Sequence, residues 1–189
     1  METTNMSLMV PKTRPQMGRE EVERLLREVE CSNYPVKLLG VRGYYKKTMG
    51  DPAKNDRGIY DDALFLVSPA VFRSFNANTD PSVHRQGIAV LKQGIYWYKI
   101  GLHGVSTPHP YEALRQWSRV TVVRDGRGEQ TDTAEAPFYT DIHKGGFHTT
   151  SSLGCQTIYP EQWEEFLELT KKELNVYNQV LLPYRLLEV

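Results

Sequence analysis

Cys155 closes a run of small residues, Gly145 to Gly154, and His143 stands just before that run. A thiol attacks carbonyl carbon only as thiolate, and a nearby imidazole can take its proton and hold the ion as an imidazolium pair. The separation of twelve residues lets a loop fold back and bring the two groups together. Gly154 has no Cβ, so a substrate carbonyl could approach the amides of Gly154 and Cys155, which are natural donors to a developing oxyanion. Ser152 and Thr149 could add hydroxyl donors. Asp141, two residues before His143 and on the same strand face, is one candidate to orient the imidazole, and a carbonyl of the glycine loop is another. The chemistry expected is acyl transfer with Cys155 as nucleophile and His143 as base, requiring no cofactor.

The same residues admit a second chemistry. His143, His148 and Cys155 could bind zinc, with Asp80 or water as a fourth ligand, which would make the protein a metal-dependent amidase or peptidase. Of the two cysteines, Cys31 falls at the end of an amphipathic helix and reads as packing. No C-x-x-C pair points to a zinc ribbon, and two distant cysteines do not make a disulfide framework. His84 and His109 read as solvated loop residues. The run Tyr96-Trp97-Tyr98 reads as half core and half surface.

These groups need a scaffold, and the hydrophobic pattern indicates a mostly β one. Val36 to Val41, Ala63 to Val67, Ile88 to Leu91, Ile95 to Ile100, Arg119 to Val123, Phe138 to His143 and Gln179 to Leu182 have strand composition. Val22, Leu25, Leu26 and Val29 recur at helical spacing between Arg19 and Glu30. A second helix opens at Pro160 and carries the stripe Trp163, Phe166, Leu167 and Leu174. Tyr111 to Trp117 reads as a short helix or turn, Thr48 to Gly58 as a loop, and Asn76 to Ser82 as a polar surface loop. Residues 1–17 form an irregular arm, and residues 18–189 a single domain of class α+β, mainly β, with two principal helices.

Bulk properties exclude several roles. The 23 basic and 23 acidic residues cancel, so no net field draws the molecule to nucleic acid. No apolar run reaches the roughly 18–20 residues that a membrane span requires, so membrane insertion is not expected. The N-terminal residues lack the pattern of a secretory signal, so synthesis in the cytoplasm is expected.

The pairing of Ile142-His143-Lys144-Gly145-Gly146 with Thr150-Ser151-Ser152-Leu153-Gly154-Cys155-Gln156-Thr157 resembles the L,D-transpeptidase catalytic domain, and most closely its shorter phage and prophage variants. The resemblance implies a β-sheet or barrel domain acting on peptidoglycan stem peptides, with Cys155 as nucleophile, His143 as base, and Gly154 with Ser152 in the surrounding turn. Leu153 stands where the family often has histidine, and Gln156 and Thr157 replace its apolar residue and arginine. Recognition of a stem carboxylate would then fall to Arg42, Arg85 or Lys144. His103, in a His-Gly pair after a strand, also fits the family pattern and is the rival base. An endolysin-like hydrolase would reach the wall through a holin or another pore. A non-catalytic wall-binding or virion module is the further alternative.

Overall fold

Branched and aromatic residues make β1 (Lys37–Arg42) and β2 (Asp62–Val67) natural partners, and they pair antiparallel from Lys37 opposite Val67 to Val41 opposite Ala63. From this pair a computed structural model, describing residues 9–27, 33–51 and 55–189, builds a closed sheet. Its remaining strands are β3 (Phe72–Asn78), β5 (Gly94–His103), β6 (Tyr111–Gln116), β9 (Ile142–Lys144), β10 (Gln156–Ile158) and β11 (Leu182–Glu188). The barrel runs β1-β11-β5-β6-β9-β10-β3-β2 and closes through the parallel pair β1 and β11. A second sheet joins β4 (Ala89–Leu91), β7 (Thr121–Arg124) and β8 (Gly128–Thr131). The mainly β architecture, with two helices among the described residues, agrees with the class read from the sequence.

Two apolar clusters hold these layers. The larger joins Leu38, Leu64, Phe75, Tyr98, Ile142 and Tyr184 of the barrel to Trp163, Phe166 and Leu174 of α2 (Pro160–Val176). Phe166 meets Phe75 edge-on, with ring centroids 5.2 Å apart. In the smaller cluster, Val22 and Leu26 of α1 (Arg19–Arg27) cover Leu39, Val41, Ala63 and Phe65. Pro160 occupies the start of α2, where its missing N–H would have had no partner.

Several expectations are corrected. Tyr111–Gln116 is strand β6, not a helix or turn: it pairs with β5 from His103 opposite Tyr111 to Tyr98 opposite Gln116. That ladder overrides the helix-forming composition of Glu112, Ala113, Leu114, Arg115 and Gln116. Asn76, Asn78, Thr79 and Asp80 are buried, not surface loop, because neighbouring polar groups accompany them. Asn76 Nδ2 donates to Thr13 O, and Gln162 Nε2 donates to Asn76 Oδ1. The strand expected over Phe138 to His143 is confined to Ile142–Lys144, and the last strand lies beyond Gln179, at Leu182–Glu188. Residues 9–17 lie against α2 and the barrel: Arg14 pairs with Glu165 of α2 at 2.5 Å, and the Pro15 carbonyl accepts from Ser74 Oγ of β3. The expected end of the first helix and Cys31 lie outside the described residues.

Candidate active site

The parallel alignment of β9 with β10 sets Thr157 opposite His143 and leaves Cys155 just outside the ladder, beside Asp141. Gln156 N donates to Asp141 O at 2.9 Å, which fixes that end. The intervening loop is pinned at several points. Tyr60 OH donates to Gly146 O at 2.6 Å, Ser82 N donates to Ser152 O at 2.8 Å, and Ser152 N returns to Ser82 Oγ at 2.8 Å. Gly154 has φ +137°, and a Cβ there would stand 2.8 Å from Ala89 O of β4. The glycine before the cysteine is thus required by the backbone and by contact with the second sheet.

His143 is buried, and its Nδ1 lies 2.8 Å from Lys144 O and 3.2 Å from Tyr111 OH. A carbonyl only accepts, so Nδ1 carries the proton and Nε2 is left with its lone pair. Nε2 has no hydrogen-bond partner among the described residues. Neither orienting group expected, Asp141 or a carbonyl of the glycine loop, binds His143; the carbonyl that does is that of its β9 neighbour Lys144. Asp141 binds the other imidazole: its Oδ2 is 2.8 Å from His103 Nδ1 and 3.4 Å from Arg115 Nε, while Gln116 N donates to Oδ1 at 3.1 Å. The two rings stack, with centroids 4.1 Å apart and planes 14° from parallel. Burial, and then the adjacent His103, push the His143 imidazole down to about 4, so it is neutral at neutral pH.

Cys155 is half-buried, and its Sγ donates to Tyr139 O at 3.4 Å. Tyr139 adopts φ 55°, uncommon for a residue with a side chain, and its carbonyl also accepts from Asp141 N at 2.9 Å. Burial, and then the Asp141 carboxylate, push the thiol up to about 12. The expectation of a thiolate–imidazolium pair at rest is thereby corrected: the resting group is a neutral thiol, and neither imidazole is within hydrogen-bond distance of it.

A groove of ≈ 820 Å³ opens beside this cluster, lined by His103, Tyr111, His143, Lys144, Trp163 and Glu164 among others. Cys155 is not among the lining residues. The remaining expected groups divide. Gly154 N donates to Ser152 Oγ at 3.0 Å, and Ser152 Oγ donates to Cys155 O at 2.6 Å, so both are used within the turn rather than as oxyanion donors. Thr149 is exposed and its Oγ1 accepts from Ser151 N. The Cys155 amide has no acceptor among the described residues and is the donor that remains. Arg42 is buried away from the groove, bonded to Thr79 and Asp80, whereas Lys144 lines it and Arg85 borders a different hollow.

The zinc set is not assembled. His148 is exposed, Asp80 pairs with Arg42, and no three His, Cys, Asp or Glu side chains among the described residues are placed to hold a metal ion. Sequence reasoning missed Tyr111, Arg115, Gln116 and Tyr139. The first three share β6, and a strand assignment there would have set Tyr111 beside His103. No family model, curated protein or solved structure is matched by this chain.

Proposed function

We propose that the protein is a cysteine-dependent acyl-transfer enzyme acting on peptidoglycan stem peptides, as a hydrolase or a transpeptidase of the L,D-transpeptidase kind. The observation that carries the reading is His143: its ring is fixed through Nδ1 on Lys144 O, its Nε2 keeps a free lone pair, and it borders the groove one strand from Cys155. The substrate class rests on the resemblance of the His143 to Thr157 segment.

Because the thiol is neutral at rest, deprotonation accompanies attack. Rotation about the Cys155 Cα–Cβ bond takes Sγ off Tyr139 O and toward the groove. His143 Nε2 removes the proton as the sulfur–carbon bond forms, and the carbonyl electron pair moves onto oxygen, which the Cys155 amide stabilises. As the tetrahedral species collapses, the carbon–nitrogen bond breaks and His143 returns the proton to the leaving amine. Water or an acceptor amine then attacks the thioester, releases the acyl group and restores the thiol. His103, held by Asp141, stacks on His143 and fixes its plane.

The test is mass spectrometry of muropeptides released from purified sacculi. Wild-type protein should alter the pattern, Cys155→Ala should not, and excess chelator should leave wild-type activity intact. Binding to sacculi without product from the wild type would make the protein a wall-binding module instead, and equal activity of the two forms would remove the sulfur from the mechanism.

A further inference from the structure

Away from the groove, a second polar cluster lies where the strand β2 begins. Asp61, Asp62 and Asp80 are all buried there, and the guanidinium buried with them is that of Arg42. Arg42 Nε stands 3.1 Å from Asp80 Oδ1, and Asp62 accepts from Gly43 N and Thr79 N at 2.6 Å each. Asp61 receives Asp56 N on Oδ2 at 3.0 Å, but its Oδ1 has no partner among the described residues.

Three further oxygens are in the same condition. Asn55 Oδ1, Asn78 Oδ1 and Thr157 Oγ1 are buried and have no partner among the described residues. The amide orientations follow from chemistry, since Asn55 Nδ2 faces the Asp80 carboxylate and Asn78 Nδ2 faces Asp80 O, both of which can only accept from an amide. With the nitrogens so placed, the two Oδ1 atoms are the acceptors that no donor among the described residues reaches. The ladder places these groups together. Asp61 and Asn78 are opposed one step beyond the pair Asp62 and Ala77, and Thr157 is directly opposite Asn78 on the other side. Opposed residues project from the same sheet face, so Asp61, Asn78 and Thr157 form one row.

Buried acceptors without donors are costly, and so is a surplus of carboxylates over cations. A hard cation removes both costs at once. We infer that Asp61, Asn78 and Asn55 form a calcium site, with Asp61 Oδ1, Asn78 Oδ1 and Asn55 Oδ1 as ligands and Thr157 Oγ1 beside them. An all-oxygen set of carboxylate and amide carbonyls suits calcium; it lacks the nitrogen or sulfur that selects zinc. The ion would tie the segment at residues 55–56 to the start of β2 and the end of β3. Asp80 leads directly to Ser82, which holds the Ser152 turn, so the site would brace the segment carrying Cys155. The inference does not depend on the proposed activity.

Thermal denaturation and titration calorimetry test it on the full chain after treatment with chelator and desalting. Calcium chloride should release or absorb heat at a single site and raise Tm by on the order of 5 °C at a hundredfold excess over Kd. Magnesium chloride at the same ionic strength should not. Asp61→Asn should weaken calcium binding by roughly tenfold or more through loss of ligand charge. Asn55→Ala, at a partly exposed position, should weaken it in the same direction and serves should the Asp61 variant fold poorly. No calcium-dependent heat or shift in the wild type, an equal response to magnesium, or an undiminished response in the folded variants would overturn the site.

Discussion

The thiol of Cys155 and the imidazole of His143 are displaced in opposite senses by burial, and each displacement has a measurable signature. A thiol pushed up to about 12 should react with iodoacetamide at a rate that climbs with pH and shows no plateau between pH 6 and pH 10. A plateau beginning near neutrality would reveal a stabilised thiolate and contradict the general-base mechanism. For His143, the folded value of about 4 lies below the 6.5 of the unfolded chain, so the unfolded state binds the extra proton between those limits. Stability is then complete above pH 6.5 and lost as pH falls toward 4, by about 3 kcal/mol in total from this residue. Denaturant midpoints for wild type and His143→Gln at pH 7 and pH 4.5 should show a smaller acid loss in the variant. In the muropeptide assay, His143→Gln should cost roughly 10²–10⁴-fold as loss of a general base, whereas His103→Ala should cost less because His103 acts through the ring it supports. A larger loss in the His103 variant would transfer the role of base to the Asp141-bound imidazole.

At the level of elements, the turn before β10 is held by geometry that admits one residue. Gly154→Ala would place a methyl against Ala89 O in a backbone conformation hostile to a side chain, and should destabilise the fold by about 1–3 kcal/mol. A variant with unchanged Tm and activity would show that the turn is free to relax. This glycine also marks the limit of what the sequence discloses. Its place before Cys155 was legible, but the reason is contact with the second sheet rather than access for a substrate, and that contact joins residues far apart in the chain. Helix α2 was legible because Pro160 and a 3.6-residue apolar period agree on it. Strand β6 was not, since its residues favour a helix locally and only pairing along β5 decides otherwise. The site divides in the same way. Cys155 and His143 were singled out as candidates from their types and spacing, while the partner of Asp141 depends on how β5, β6 and β9 align.

For the whole molecule, closure of the barrel rests on β11, which pairs with β1 on one side and β5 on the other. Removing residues 182–189 would take Leu182, Tyr184 and Leu186 out of the core and leave the long edges of two strands unpaired. Such a chain should lose its cooperative thermal transition and aggregate on expression; a soluble, cooperatively folding product would show that the rest of the sheet stands alone. The parallel pair also joins the early part of the chain to its late part, a non-local contact of the kind that slows folding. During synthesis, His103, His143 and Cys155 all leave the ribosome before the strand that seals the wall beside β5. The nascent polypeptide thus carries His103, His143 and Cys155 in advance of the strand that completes the barrel around them.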